Sequence, residues 1–153
     1  MARRQGAAGR RGAEEALSPV EVGVHDLAQA RAALAAAAEL GVAIQLRSAP
    51  DAAAYAGVGY LQALGAAAGH ELLIDCGDDP GLVMAALRTG CRKVAFSGSG
   101  ELAARLADMA ARRGATLRHE TAPPDALLLP AGADPGPALQ ARLARSAAPR
   151  GQR

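Results

Sequence analysis

The chain reads as an α/β domain whose parallel sheet is built from four or five βα units. Two observations carry that reading. From residue 18 to residue 120, short apolar runs alternate with Ala/Leu segments of helical period. The boundaries between them carry Gly, Pro or Asp, residues that cap and stop helices. The length of 153 residues, half of them hydrophobic at 50%, suits one domain with its own core. Alanine fills 41 positions and aromatic residues only 2%, so that core is built from small side chains with Leu, Val and Ile.

The first strand is Val20 to His25, and Asp26 caps a helix that runs to Leu40 and stops at Gly41. Val42 to Leu46 is the second strand. Ser48-Ala49-Pro50-Asp51 then opens a helix over Asp51 to Ala68, interrupted at Gly57 and Gly59. Leu72 to Asp75 is the third strand. Asp78-Asp79-Pro80 starts a helix that reaches Arg88 and is ended by Gly90. Lys93 to Phe96 forms the fourth strand, and Ser97-Gly98-Ser99-Gly100 leads into a helix to Arg113. After Gly114, Ala115 to Arg118 makes a fifth strand. Strands alternating with helices of this length mean parallel βαβ units with right-handed crossovers. The arrangement expected is half of a TIM-type barrel, or else a flavodoxin-like or Rossmann-like three-layer sandwich, since periodicity serves both.

Three segments follow: a basic leader (1–17), the βα-repeat domain (18–120) and a Pro/Ala/Arg-rich tail (121–153). The tail offers an edge strand at Asp125 to Leu129 and a last helix from Pro137 to Ser146, either packed on the sheet or free of it. Composition excludes collagen, coiled coil, disulfide scaffold and membrane span. The leader has four arginines but no apolar stretch, so a secretory signal is not expected and the cytoplasm is the expected compartment. Its arginines have no aromatic or basic partner segment, so no nucleic-acid role is read into them. Lys93 is the one lysine among 17 basic residues, a bias of GC-rich bacterial genomes. Cys76 and Cys91 fall at opposite ends of neighbouring strands and are expected to be free, buried thiols.

Polar residues collect where the strands end: His25-Asp26, Arg47-Ser48, Asp75 with Asp78 and Asp79, Ser97 with Ser99, and His119-Glu120. Ligands of parallel α/β folds bind at those carboxyl ends. The opposite ends carry only Glu21, Glu71, Arg92 and Lys93. Ser97, Gly98, Ser99 and Gly100, opening a helix, form the expected anion loop, with Arg47 as countercharge. Asp75, Asp78 and Asp79 are the candidate oxygen ligands of a Mg²⁺ ion. Asp75 or His25 is the candidate general base if the rim is catalytic. Gly98 to Ala103 also matches G-x-G-x-x-A with Glu120 placed for a ribose, but too little chain follows for a dinucleotide domain, so NAD is not expected.

Two strings carry a resemblance. GVHDLAQARAALAAAAELGVAIQLRS and DCGDDPGLVMAALRTGCRKVAFSGS are similar to the first, third and fourth βα units of the class I 2-keto-3-deoxy-6-phosphogluconate aldolase barrels. The resemblance spans about two-thirds of the chain and implies that Arg47 contacts a substrate carboxylate. It also marks what is missing. Ala43 stands where the family has its catalytic glutamate, and the Schiff-base lysine would lie on a strand beyond this chain. The expectation is a non-catalytic or vestigial barrel-like module that binds a small anion, needs no cofactor and self-associates through an uncovered apolar face. The alternatives are a small metal-assisted lyase or hydrolase on the same rim, or a nucleotide-binding or protein-interaction module.

Overall fold

The computed structural model describes residues 18–148; the expected leader, 1–17, and residues 149–153 lie outside them. Six strands and six helices follow in order. They are β1 (Val20–Val24), α1 (Leu27–Leu40), β2 (Ile44–Ser48), α2 (Ala52–Tyr55), α3 (Val58–Ala68) and β3 (Ile74–Asp75). Then come α4 (Pro80–Thr89), β4 (Lys93–Phe96), α5 (Gly100–Arg112), β5 (Thr116–His119), β6 (Ala126–Leu128) and α6 (Pro135–Ala147).

Local chemistry sets most of these bounds. Asp26, Asp79 and Ser99 cap α1, α4 and α5 by accepting first-turn amide N–H bonds, and Gly41 and Gly90 end α1 and α4 in the left-handed conformation. The single helix expected over Asp51 to Ala68 is two, because Gly57 takes φ +89 between α2 and α3. The second strand lies two residues further along than expected, at Ile44–Ser48, so Arg47 sits within it rather than after it. The tail is built into the fold. Asp134 caps α6, which packs on α1 with Leu139 fully buried, and β6 pairs in parallel with β1.

All the pairings are parallel and fall into two three-stranded sheets, β2-β1-β6 and β3-β4-β5. A single bridge, Arg47 to Leu73, joins them, with the Ser48 N–H donating to Leu73 at 3.0 Å and the Leu73 N–H donating to Leu46 at 2.9 Å. From β1 to β5 the strands therefore neighbour one another in chain order without reversal. β6 returns to the far side of β1, so it is the helices that set the fold apart from a doubly wound sandwich, which has them on both faces: α1 packs on α3, α3 on α4, α4 on α5 and α6 on α1, in one layer. A barrel of four or five units does not form either: there are six strands, and no ladder joins β5 to β6 among the described residues.

Side chains alternate across each strand. Val22, Val24, Leu46, Ile74, Val94 and Phe96 join Ala30, Ala33, Leu61, Val83, Leu106 and Leu139 in one core under the helices. The other pleat carries Glu21, Gln45, Arg47, Asp75, Lys93, Arg118 and Glu120. The face without helices is thus mainly polar, although Leu73, Ala95 and the exposed Leu128 share it. Among the described residues, no helix is long and apolar enough to cross a membrane. Cys76 and Cys91 are both free and buried.

Candidate functional site

The polar pleat converges on Arg47. Its side chain is fully buried, and its guanidinium grips Glu120 through two parallel bonds, Nη1 to Oε1 at 2.6 Å and Nη2 to Oε2 at 2.8 Å. The same two nitrogens donate to Glu21 at 3.1 Å and to Asp75 at 2.9 Å. Arg118 completes the cluster, donating to both oxygens of Glu21 at 2.7 Å and to Glu120 at 2.6 Å. Residues of β1, β2, β3 and the end of β5 are thereby tied together.

These contacts require a curved sheet. Strands lie about 4.8 Å apart, so four flat spacings would hold β1 and β5 about 19 Å from each other, more than an Arg and a Glu can span. Glu21 and Arg118 meet only because the sheet curls with its polar pleat inward.

Charge is well matched inside. Burial pushes the Glu21 carboxyl up, but hydrogen bonds and charge from Arg118 and Arg47 outweigh it and hold the group below its ordinary value. Glu120 is likewise lowered, against burial, by Arg47 and then Arg118. Burial works against the charge on Arg47, yet Glu120 and Asp75 raise its affinity for the proton further still. The Arg47 Nε is the one buried side-chain polar atom without a partner among the described residues.

Above this cluster, at the carboxyl ends of the strands, lies a cleft of about 550 Å³. Asp51, Asp75, Asp78, Asp79, Ser97 and Glu120 line it, with Thr121 to Pro124 along one side. Asp75 is fixed at its floor: Oδ2 accepts from Arg47, Oδ1 accepts the Gly77 N–H at 2.9 Å, and its own N–H donates to the Ser48 hydroxyl at 2.8 Å. Asp51 has a left-handed backbone at φ 64, a conformation Asp tolerates better than most residues.

The expected site residues are thus only partly brought together. Asp75, Asp78, Asp79 and Ser97 share the cleft, whereas Arg47 lies beneath it, committed to three carboxylates. Asp79 is the cap of α4, and no group of three His, Cys, Asp or Glu among the described residues is arranged to hold a metal ion. Asp75, Asp78 and Asp79, expected to hold Mg²⁺, line the cleft without forming such a group. Ser99 caps α5, and Gly98 is where it is for packing, since a Cβ there would meet the Phe96 ring at 2.3 Å. The Gly98 carbonyl bonds His119 Nε2 at 2.7 Å. Glu120, placed in the sequence for a ribose, is held by both arginines instead.

His25 does not reach the cleft. Its Nε2 bonds the Leu129 carbonyl at 2.9 Å, and the buried Gln29 donates to Pro130 and Ala133, both at 3.0 Å, so the pair anchors the chain after β6. Burial pushes the Cys76 thiol up to about 12, which removes it as a nucleophile. Glu21, Arg118 and Asp51 are site residues that reasoning from strand ends misses. The available signal was alternation: VEVGV, IQLRS and TLRHE each place charge or amide on one pleat only. A scan against protein-family models finds no match to this chain, and a search of the curated proteins finds none either.

Proposed function

We propose that this chain is a non-catalytic, barrel-derived βα module that binds a small molecule in the cleft at the carboxyl ends of its strands. One observation carries the reading: a cleft of about 550 Å³, of ligand size, sits over two strand-end carboxylates that Arg47 holds in place. Barrel descent is supported by five strands in unreversed order, helices against one pleat, and β6 returning beside β1. That is the order the resemblance to the aldolase barrels implies.

The ligand class differs from the anion expected of Arg47. Its guanidinium is neutralised from three sides, and the cleft is lined by no Lys or Arg among the described residues. Asp51, Asp78 and Asp79 stand exposed on the wall. A molecule bearing an amine and hydroxyl groups fits that wall, and a phosphorylated acid does not. Catalysis is disfavoured because Asp75, the candidate general base, already accepts on both oxygens.

A thermal-shift panel tests this with spermidine, glucosamine, sorbitol, glucose 6-phosphate, pyruvate and Mg²⁺. A saturable rise with an amine, lost in Asp78→Asn, is the expected result. Stabilisation by the phosphorylated sugar or the keto acid alone, or by nothing in the panel, would overturn it.

A further inference from the structure

The curved sheet has a second mouth, at the amino ends of its strands. A cavity of about 420 Å³ opens there, its lining including Glu21, Gln45, Lys93, Thr116 and Arg118, with Ser18 and Pro19 just before β1. We infer that this mouth is a site for a small oxyanion, held by the Lys93 ammonium and the Thr116 hydroxyl, with Arg118 beside them.

Lys93 is half-buried, and among the described residues its one hydrogen bond runs to a neutral partner, Gln45 Oε1, at 2.8 Å. An ammonium has three N–H donors, so this bond leaves donors over. Among the described residues no carboxylate lies within ion-pair distance of it, while every other charge on the polar pleat is paired. Glu21 is the one acid lining the mouth among the described residues, and its oxygens are already engaged. Oε1 accepts from Arg47 and Arg118, and Oε2 accepts from Arg118. Lys93 thus balances the three carboxylates and two guanidiniums of the pleat, yet is the one of these charges with no ion-pair partner among the described residues.

At nearby His70, burial first and then the charge of Lys93 disfavour protonation, against the charge of Glu71. The Thr116 side chain is exposed on the same rim, level with Lys93 in the β4–β5 ladder. The two ends of the sheet therefore differ, with acidic walls at the carboxyl ends and, among the described residues, a cation without an ion-pair partner at the amino ends. An anion entering this molecule is sorted to the Lys93 end.

Inorganic phosphate and acetate, each matched for ionic strength with NaCl, are titrated against the full chain and followed by melting temperature. At ten times its dissociation constant a bound anion should raise the Tm by about 4 °C. Phosphate alone acting would assign a tetrahedral oxyanion, and acetate acting as well would extend the site to carboxylates. Lys93→Gln should weaken binding at least tenfold and Thr116→Val by less, while Asp78→Asn at the far mouth should leave it unchanged. That last variant separates this site from the cleft. No rise with either anion, or equal binding by Lys93→Gln, would overturn the inference. If Lys93→Gln does not fold, wild-type amide shifts decide: saturable movement at residues 93 and 116–118 supports it, and movement confined elsewhere overturns it.

Discussion

Replacing Arg47 by Met would leave Glu21, Asp75 and Glu120 facing one another with one cation fewer among them. Replacing a whole buried ion cluster by apolar groups can be neutral, but removing one member strands the others at a cost of about 3–5 kcal/mol. Arg47→Met should lose about that much by urea denaturation. Arg118→Met removes a guanidinium whose side chain is 44% exposed and should cost no more than about 1 kcal/mol, because solvent already screens it. Equal losses in the two variants would mean that burial does not set the strength of these pairs. The same contrast explains why Arg47 misled as an isolated residue. An arginine near a strand end invites an anion, and nothing local in LRS tells whether three carboxylates from other strands already occupy it.

At the scale of elements, chain-local signals were legible and cross-strand ones were not. Asp26, Gly41, Asp79, Gly90 and Ser99 act within a turn of their own positions, so the helix bounds they set follow from the sequence. The third strand came out shorter than its apolar run, because Leu73 is used for the bridge to Arg47 instead of a continuous ladder. The turn after α3 also joins sheet to helix through a titratable group. His70 Nε2 accepts the Leu46 N–H at 3.2 Å, which only an unprotonated nitrogen can do.

Burial and Lys93 keep the His70 pKa below its ordinary 6.5. A base with a depressed folded pKa contributes stability above the unfolded value, and loses it as pH falls through the folded one. Stability should therefore decline on acidification from near pH 6.5, and Glu21 and Glu120, also depressed, should add a second decline below their ordinary 4.5. His70→Gln should remove the first decline and keep the second in denaturation series between pH 8 and pH 3.5. An unchanged profile would show that the Leu46 bond carries no linkage.

For the whole molecule, the strand order and the inward polar pleat act together. Helices cover one side of the sheet, so the other must be solvated, covered by a partner, or curled on itself around paired charge. This chain takes the last course, with Glu21, Asp75 and Glu120 against Arg47 and Arg118. A cleft is left open above the cluster and the mouth at Lys93 below it. Curvature of this kind was not readable from periodicity, because period-two alternation fixes which face a residue occupies and not how far the sheet bends.

The most direct test of that curvature is a double-mutant cycle on Arg47→Met and Glu120→Gln. In a flat sheet β2 and β5 would be three spacings apart, about 14 Å, too far for the two groups to couple. The geometry described here predicts a coupling energy above about 1 kcal/mol, as expected for a buried bidentate pair. Additivity within about 0.5 kcal/mol would contradict it, and with it the closed charge cluster on which the cleft is built.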